Sequence, residues 1–142
     1  MKKKAIISAC LLGLDCRYDG KNNFIGEEKL QKLREEYELI PVCPEVYGGL
    51  TTPRVPSERV GEKVLSKTGT DVTAEFQKGA SAALQLAGIF GCSAAILKEN
   101  SPSCGSGTIY DGTFTGVLTA GDGVTAELLK KHGLTVTGES KV

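Results

Sequence analysis

The chain has no tryptophan, one histidine and one methionine, and its 17 basic side chains are matched by 17 acidic ones. Each shortage excludes something. A net charge of zero and a sequence pI near 6.6 leave no basic footprint for a phosphate backbone, so long nucleic acid is not an expected partner. With a single histidine, the mixed Cys/His ligand sets used by many zinc sites are scarce. No stretch approaches the roughly 20 apolar residues that a membrane helix needs, so no membrane attachment is expected. Met1-Lys2-Lys3-Lys4 resembles the start of a secretory leader, but Ser8 cuts the apolar run Ala5-Ile6-Ile7 short and no leader core follows. The expectation is a cytoplasmic protein. Close CxxC pairs are missing as well.

Among the residues present, glycine and cysteine stand out. Eighteen glycines in 142 residues are about 13%, nearly twice the usual 7%. Five cysteines in a reducing compartment point to metal, cluster or catalytic thiols in place of disulfides. A chain of this length buries roughly 68% of its unfolded surface. One domain over residues 1–142 can therefore stand without covalent staples.

Three short apolar runs read as buried strands, and each ends at or near a cysteine. Ala5 to Ala9 stops at Cys10, Leu39 to Val42 stops at Cys43-Pro44, and Cys92 to Leu97 runs into the loop that carries Cys104. Between them, Leu30, Leu33 and Tyr37 stripe one face of a helix from Gly26 to Glu38. A second helix is expected from Thr73, with Asp71 or Thr73 as its cap, to about Phe90. A third is expected from an Asp122 cap to His132-Gly133, with a last strand over Leu134 to Thr137. The segment from Cys43 to Glu58 holds too many prolines and glycines for a helix or central strand and reads as a long loop. Val60 to Ser66 and the region of Val72 suggest a hairpin turning at Lys67-Thr68-Gly69-Thr70.

Alternating strands and helices predict an α/β protein: a Rossmann-like three-layer sandwich with a mainly parallel sheet of about four strands and an inserted hairpin or long loop. Ligands of such sheets sit beyond the carboxyl ends of the strands. Loops 10–20, 43–59 and 98–112 all fall there, so Cys10, Cys43 and Cys104 can converge although 33 and 61 residues separate them. Soft thiolates select zinc, copper(I) or an iron-sulfur cluster, and spacing alone does not choose among them. Cys16 shares the first loop and is a possible fourth ligand, a resolving thiol or a bystander. Cys92 begins its strand at the opposite end and reads as a small buried apolar residue. His132, near a helix carboxyl end, reads as structural.

The motifs Ile7-Ser8-Ala9-Cys10-Leu11-Leu12-Gly13 with Arg17-Tyr18-Asp19-Gly20, Cys43-Pro44-Glu45-Val46-Tyr47-Gly48-Gly49-Leu50 with Pro53-Arg54, and Ser101-Pro102-Ser103-Cys104-Gly105 with Ile109-Tyr110-Asp111-Gly112 resemble the thiouracil desulfidase (TudS-like) family over about residues 4 to 140. The resemblance implies a Rossmann-like fold and a 4Fe-4S cluster on Cys10, Cys43 and Cys104 whose fourth iron is open. It also implies dependence on cluster-assembly machinery, oxygen sensitivity, and non-redox conversion of the C=S of a thiolated pyrimidine, a 2-thiouracil-like base or nucleoside, to C=O with release of sulfide.

Glu45 is the candidate general acid/base, and Ser101 is a candidate to hydrogen-bond the substrate or the attacking water. Ser103, Tyr18, Asp19 and Arg54 are candidates around the substrate, with Tyr47 and Tyr110 as further stacking faces. Glu45 and Arg54 can equally pair with each other. A three-thiolate zinc hydrolase and a non-catalytic cluster or metal protein are the competing expectations. Composition leaves the oligomeric state open.

Overall fold

The computed structural model describes residues 2–142. Strand β1 (Lys3–Ser8) carries Ala5, Ile6 and Ile7, none of which reaches solvent. A strand apolar on both faces must be covered on both. A 3-10 turn over Ala9–Leu12 follows, closed by Gly13 at φ 94°, a left-handed conformation that suits glycine. Helix α1 (Glu27–Glu36) opens on two glutamates and has Arg34 in its last turn, complementing the helix dipole at both ends. Strand β2 (Tyr37–Val42) leads into a one-turn helix α2 (Pro44–Tyr47) with proline at its first position, where no N–H is missed.

A hairpin β3 (Ser57–Val60) and β4 (Lys63–Ser66) precedes the long helix α3 (Thr73–Phe90). Strand β5 (Ala94–Leu97), a second hairpin β6 (Thr108–Tyr110) and β7 (Leu118–Ala120), helix α4 (Val124–Lys131) and strand β8 (Thr135–Gly138) complete the order.

The main sheet is parallel throughout, in the order β2-β1-β5-β8. Alternation along β1 and β5 splits the core into two layers. Ile6, Ala95 and Leu97 pack with Ala87 of α3 and with Ala126 and Leu129 of α4. Ala5, Ile7, Ala94 and Ile96 face the other way, toward Leu33 of α1. The result is the three-layer α/β/α arrangement expected from the alternating pattern. Among the described residues, no helix is long and apolar enough to cross a membrane.

Several local expectations are corrected. The proline-rich segment after Cys43 does form a turn of helix, because Pro44 is helix-compatible at the first position. The first hairpin turns at Gly61-Glu62, earlier than Lys67–Thr70. A second turn does lie at 66–70, returning the Val72 N–H to Val64 O. Asp122 does not cap α4: Gly123 stands there, and the Asp122 carboxylate takes the Gly107 N–H and the Lys130 ammonium. Val72 occupies the cap position of α3, while Asp71 accepts the Thr73 N–H. Strand β5 begins at Ala94, two residues after Cys92. The hairpin β6–β7 was not anticipated, since its strands are three residues each and its turn is rich in glycine and threonine.

Candidate active site

β1 lies between β2 and β5, so the loops leaving these strands at their carboxyl ends flank one crevice, as the topology of doubly wound sheets requires. A cavity of about 540 Å³ occupies it, and Cys10, Cys16, Cys43 and Cys104 all line its wall.

Cys10 sits in the 3-10 turn after β1. Its sulfur accepts a hydrogen bond from Asn23 Nδ2 at 3.5 Å. Asn23 Oδ1 in turn accepts from Arg17 Nη1 at 3.0 Å, and Asp19 braces the same guanidinium with bonds of 2.8 and 2.6 Å. Asp19 thus acts two residues removed from Cys10 and does not itself line the cavity. Burial raises the Cys10 thiol above its ordinary value.

Cys43 ends β2 and enters α2. The Cys43 sulfur lies 3.8 Å from Cys16 O, and the neighbouring Cys16 thiol lowers the Cys43 thiol against the effect of burial, while Cys16 itself is raised. The fit of α2 against α3 fixes this corner. A Cβ built on Gly48 would come 1.9 Å from Glu75 O, and one on Gly79 would come 1.8 Å from Pro44 O. Only glycines permit that approach.

Cys104 is buried, and burial pushes its thiol up to about 12. Its loop is wound on Ser101, whose Oγ accepts the N–H groups of Ser103 and Cys104, both at 3.1 Å. Ser101 faces the cavity. Ser103 does not: its hydroxyl is buried against Thr125 Oγ1 at 2.8 Å.

Glu45 lies on the cavity wall with Arg54 Nε at 3.1 Å. Glu45 is thus a cavity carboxylate that is also paired with Arg54. Burial lifts its carboxyl above the usual range, with Arg54 pulling the other way. The Arg54 side chain lines the cavity, is 7% exposed, and donates to Cys16 O at 3.0 Å. Its backbone N–H bonds Tyr18 O at 2.8 Å, so it ties the first two loops together. Tyr18 and Tyr110 reach the cavity, whereas Tyr47 lies outside it and donates to Pro41 O. Cys92 is half-buried at the amino end of β5, against the α3/α4 layer. His132 caps α4, its Nδ1 3.0 Å from Leu128 O.

Sequence reasoning missed Asn23, Lys98 and Phe114 in the cavity wall. Asn23 falls just past the loop drawn as 10–20, and a polar loop residue carries no periodic signal. Among the described residues, no three His, Cys, Asp or Glu side chains close on a single point tightly enough to share one ion. Four thiols on the wall of one cavity are the soft donors that an iron-sulfur cluster takes.

A Rossmann-like sheet with sulfur donors on the loops at its carboxyl rim defines the class: an α/β protein with a thiol-lined cavity at the strand ends. The chain belongs to the 2-thiouracil desulfurase family, whose model matches residues 5–141. It is 44% identical over 147 residues to the protein YbbK of Bacillus subtilis (strain 168), described as uncharacterized, covering 96% of each chain. Its fold superposes on the 4Fe-4S-dependent thiouracil desulfidase TudS with a TM-score of 0.94 and 52% identity, covering 99% of this chain and 93% of that one.

Proposed function

We propose that the protein is an iron-sulfur-dependent desulfidase that converts the thiocarbonyl of a small thiolated pyrimidine, a 2-thiouracil-like base or nucleoside, to a carbonyl. The observation that carries this reading is the convergence of Cys10, Cys43 and Cys104 on one cavity that also holds Glu45 and Ser101. Membership of the 2-thiouracil desulfurase family and the likeness to a 4Fe-4S-dependent desulfidase support it.

Cys10, Cys43 and Cys104 would hold the 4Fe-4S cluster, with the three loops acting as one site within a single domain. When bound, a cluster with only three protein ligands supplies a Lewis-acidic iron for the sulfur of the substrate. The balance is a hydrolysis: water adds oxygen to carbon, sulfide leaves, and no electron enters or departs. The protein's task is then to move protons and hold the ring.

Glu45, its proton affinity raised by burial, takes a proton from the attacking water and returns it as sulfide departs. Arg54 keeps that carboxylate in one orientation. Ser101 Oγ already accepts two backbone N–H groups, which leaves its own O–H free to donate toward substrate or water. Asn23 donates to the Cys10 sulfur, the kind of bond that tunes a cluster ligand.

The test is anaerobic reconstitution with iron and sulfide assays, an absorption spectrum, and turnover of 2-thiouracil to uracil. About four irons per chain, a broad band near roughly 400 nm and stoichiometric sulfide are expected. Glu45→Gln should keep its iron and lose roughly a hundredfold or more in rate. A colourless protein holding about one zinc would overturn the reading in favour of a hydrolase that activates water on that ion.

A further inference from the structure

We propose that Phe114, presented by the connection between β6 and β7, is the face on which the substrate ring stacks, and that Glu58 is the residue that positions it. The identity of the ring rests on the desulfidase reading above.

Phe114 lines the cavity and adopts φ 58°, one of two non-glycine residues among those described with positive φ. A bulky side chain seldom occupies that region, and such outliers persist only where the surroundings impose them. Here the imposition is visible. Glu58, only 9% exposed, directs Oε1 at two successive targets on the connection, accepting the Gly112 N–H at 2.9 Å and the Phe114 N–H at 3.1 Å. Gly112 lies so close to β3 that a Cβ there would come 2.4 Å from Val60 Cγ2. Asp111 Oδ1 adds a further bond to the Thr113 N–H at 3.0 Å. The backbone on either side of Phe114 is thus fastened to the first hairpin before any ligand arrives.

What this anchoring presents is a half-buried phenyl ring on the wall of a cavity that also includes Glu45, Lys98 and Ser101. A phenyl ring offers no hydrogen bond; its contribution is a flat apolar face. A thiolated pyrimidine is flat, neutral and aromatic, and base-on-aromatic stacking tolerates changes of ring substituent. Tyr18 and Tyr110 also reach the cavity but are 45% and 37% exposed. Neither has its main chain held in a left-handed conformation by a buried carboxylate.

The experiment uses the cluster-loaded protein and the variants Phe114→Ala, Phe114→Leu, Phe114→Tyr and Glu58→Ala. Iron content, KM and kcat for 2-thiouracil are measured, together with equilibrium binding of 2-thiouracil by calorimetry. Phe114→Ala should raise KM roughly tenfold or more, consistent with the loss of one stacking contact, and leave kcat within about threefold. Phe114→Tyr should restore wild-type KM, Phe114→Leu should fall between, and Glu58→Ala should raise KM less than Phe114→Ala. Iron content should not change in any of them. Unchanged KM in Phe114→Ala, or an equal loss in Phe114→Tyr, overturns the proposal. If the wild-type protein binds 2-thiouracil but does not turn it over, the desulfidase reading fails and the stacking proposal is decided by binding: roughly tenfold weaker binding by Phe114→Ala supports it. Equal binding by both, or binding by neither, overturns it.

Discussion

At the base of the cavity, α2 meets α3 with backbone against backbone, a Cβ on Gly79 having 1.8 Å to Pro44 O; across the cavity, the β6–β7 connection takes its hydrogen bonds to the first hairpin from the Glu58 carboxylate. The base carries Cys43 and Glu45 and has no slack. The outer wall carries Phe114 and leaves Val117 and Leu118 at 53% and 46% exposure. Steric contact fixes where thiols stand, because a contact at van der Waals distance rises steeply in energy when compressed. Hydrogen bonds to a buried carboxylate fix where a ring stands while allowing the strands beyond it to remain in solvent. A site that must hold a rigid inorganic group on one side and admit an exchangeable ring on the other is well served by both.

The largest effect expected is all-or-none. Replacing Cys10, Cys43 or Cys104 by alanine should each abolish iron retention after anaerobic reconstitution, whereas Cys92→Ala should retain it; full iron in any of the first three would break the assignment of the base. Next is Gly79→Ala. Helix propensity alone favours alanine by up to about 1 kcal/mol, yet the collision with Pro44 O should reverse the sign and destabilise by about 3 kcal/mol. Urea unfolding measures this. Glu58→Ala leaves the Gly112 and Phe114 N–H groups without their buried acceptor and should lower stability by about 2 kcal/mol with iron content intact, which separates wall from base. Smallest is Gly88→Ala in the same helix as Gly79. Nothing lies within 4 Å of its added Cβ, so a gain of about 0.5 to 1 kcal/mol is expected. Opposite signs for Gly79 and Gly88 would show that packing against α2, not helix propensity, governs α3.

The parallel sheet and the convergence of the cysteine loops were readable in the sequence because both depend on strong local signals. Ala5-Ile6-Ile7 and Ala94-Ala95-Ile96-Leu97 are unbroken apolar runs, and such runs become central strands. Helix α3, expected from a cap at Asp71 or Thr73 to about Phe90, runs Thr73–Phe90 with Val72 at the cap position and Gly91 ending it. The outer wall was not readable. Thr108–Tyr110 and Leu118–Ala120 are too short to show alternation, and their pairing depends on contacts with Glu58 and Asp122 that lie 54 and 15 residues away from their partners. Ser103 illustrates a different limit. Its neighbourhood in sequence to Cys104 suggested the cavity, but a turn reverses direction within two residues, and its hydroxyl ends against Thr125. Adjacency to a ligand locates the backbone and not the side chain.

Strand β2 forms one open border of the main sheet, and residue 41 within it is proline, paired in register with Ile7. The ladder to β1 runs unbroken from Tyr37 to Val42, so the absent N–H belongs to the outward side. The Pro41 carbonyl is itself occupied by the Tyr47 hydroxyl. A stray strand approaching from solvent thus finds one donor missing and one acceptor already taken. The border is blunted against edge-to-edge aggregation, a safeguard written into the same short stretch of chain that delivers Cys43 to the cavity.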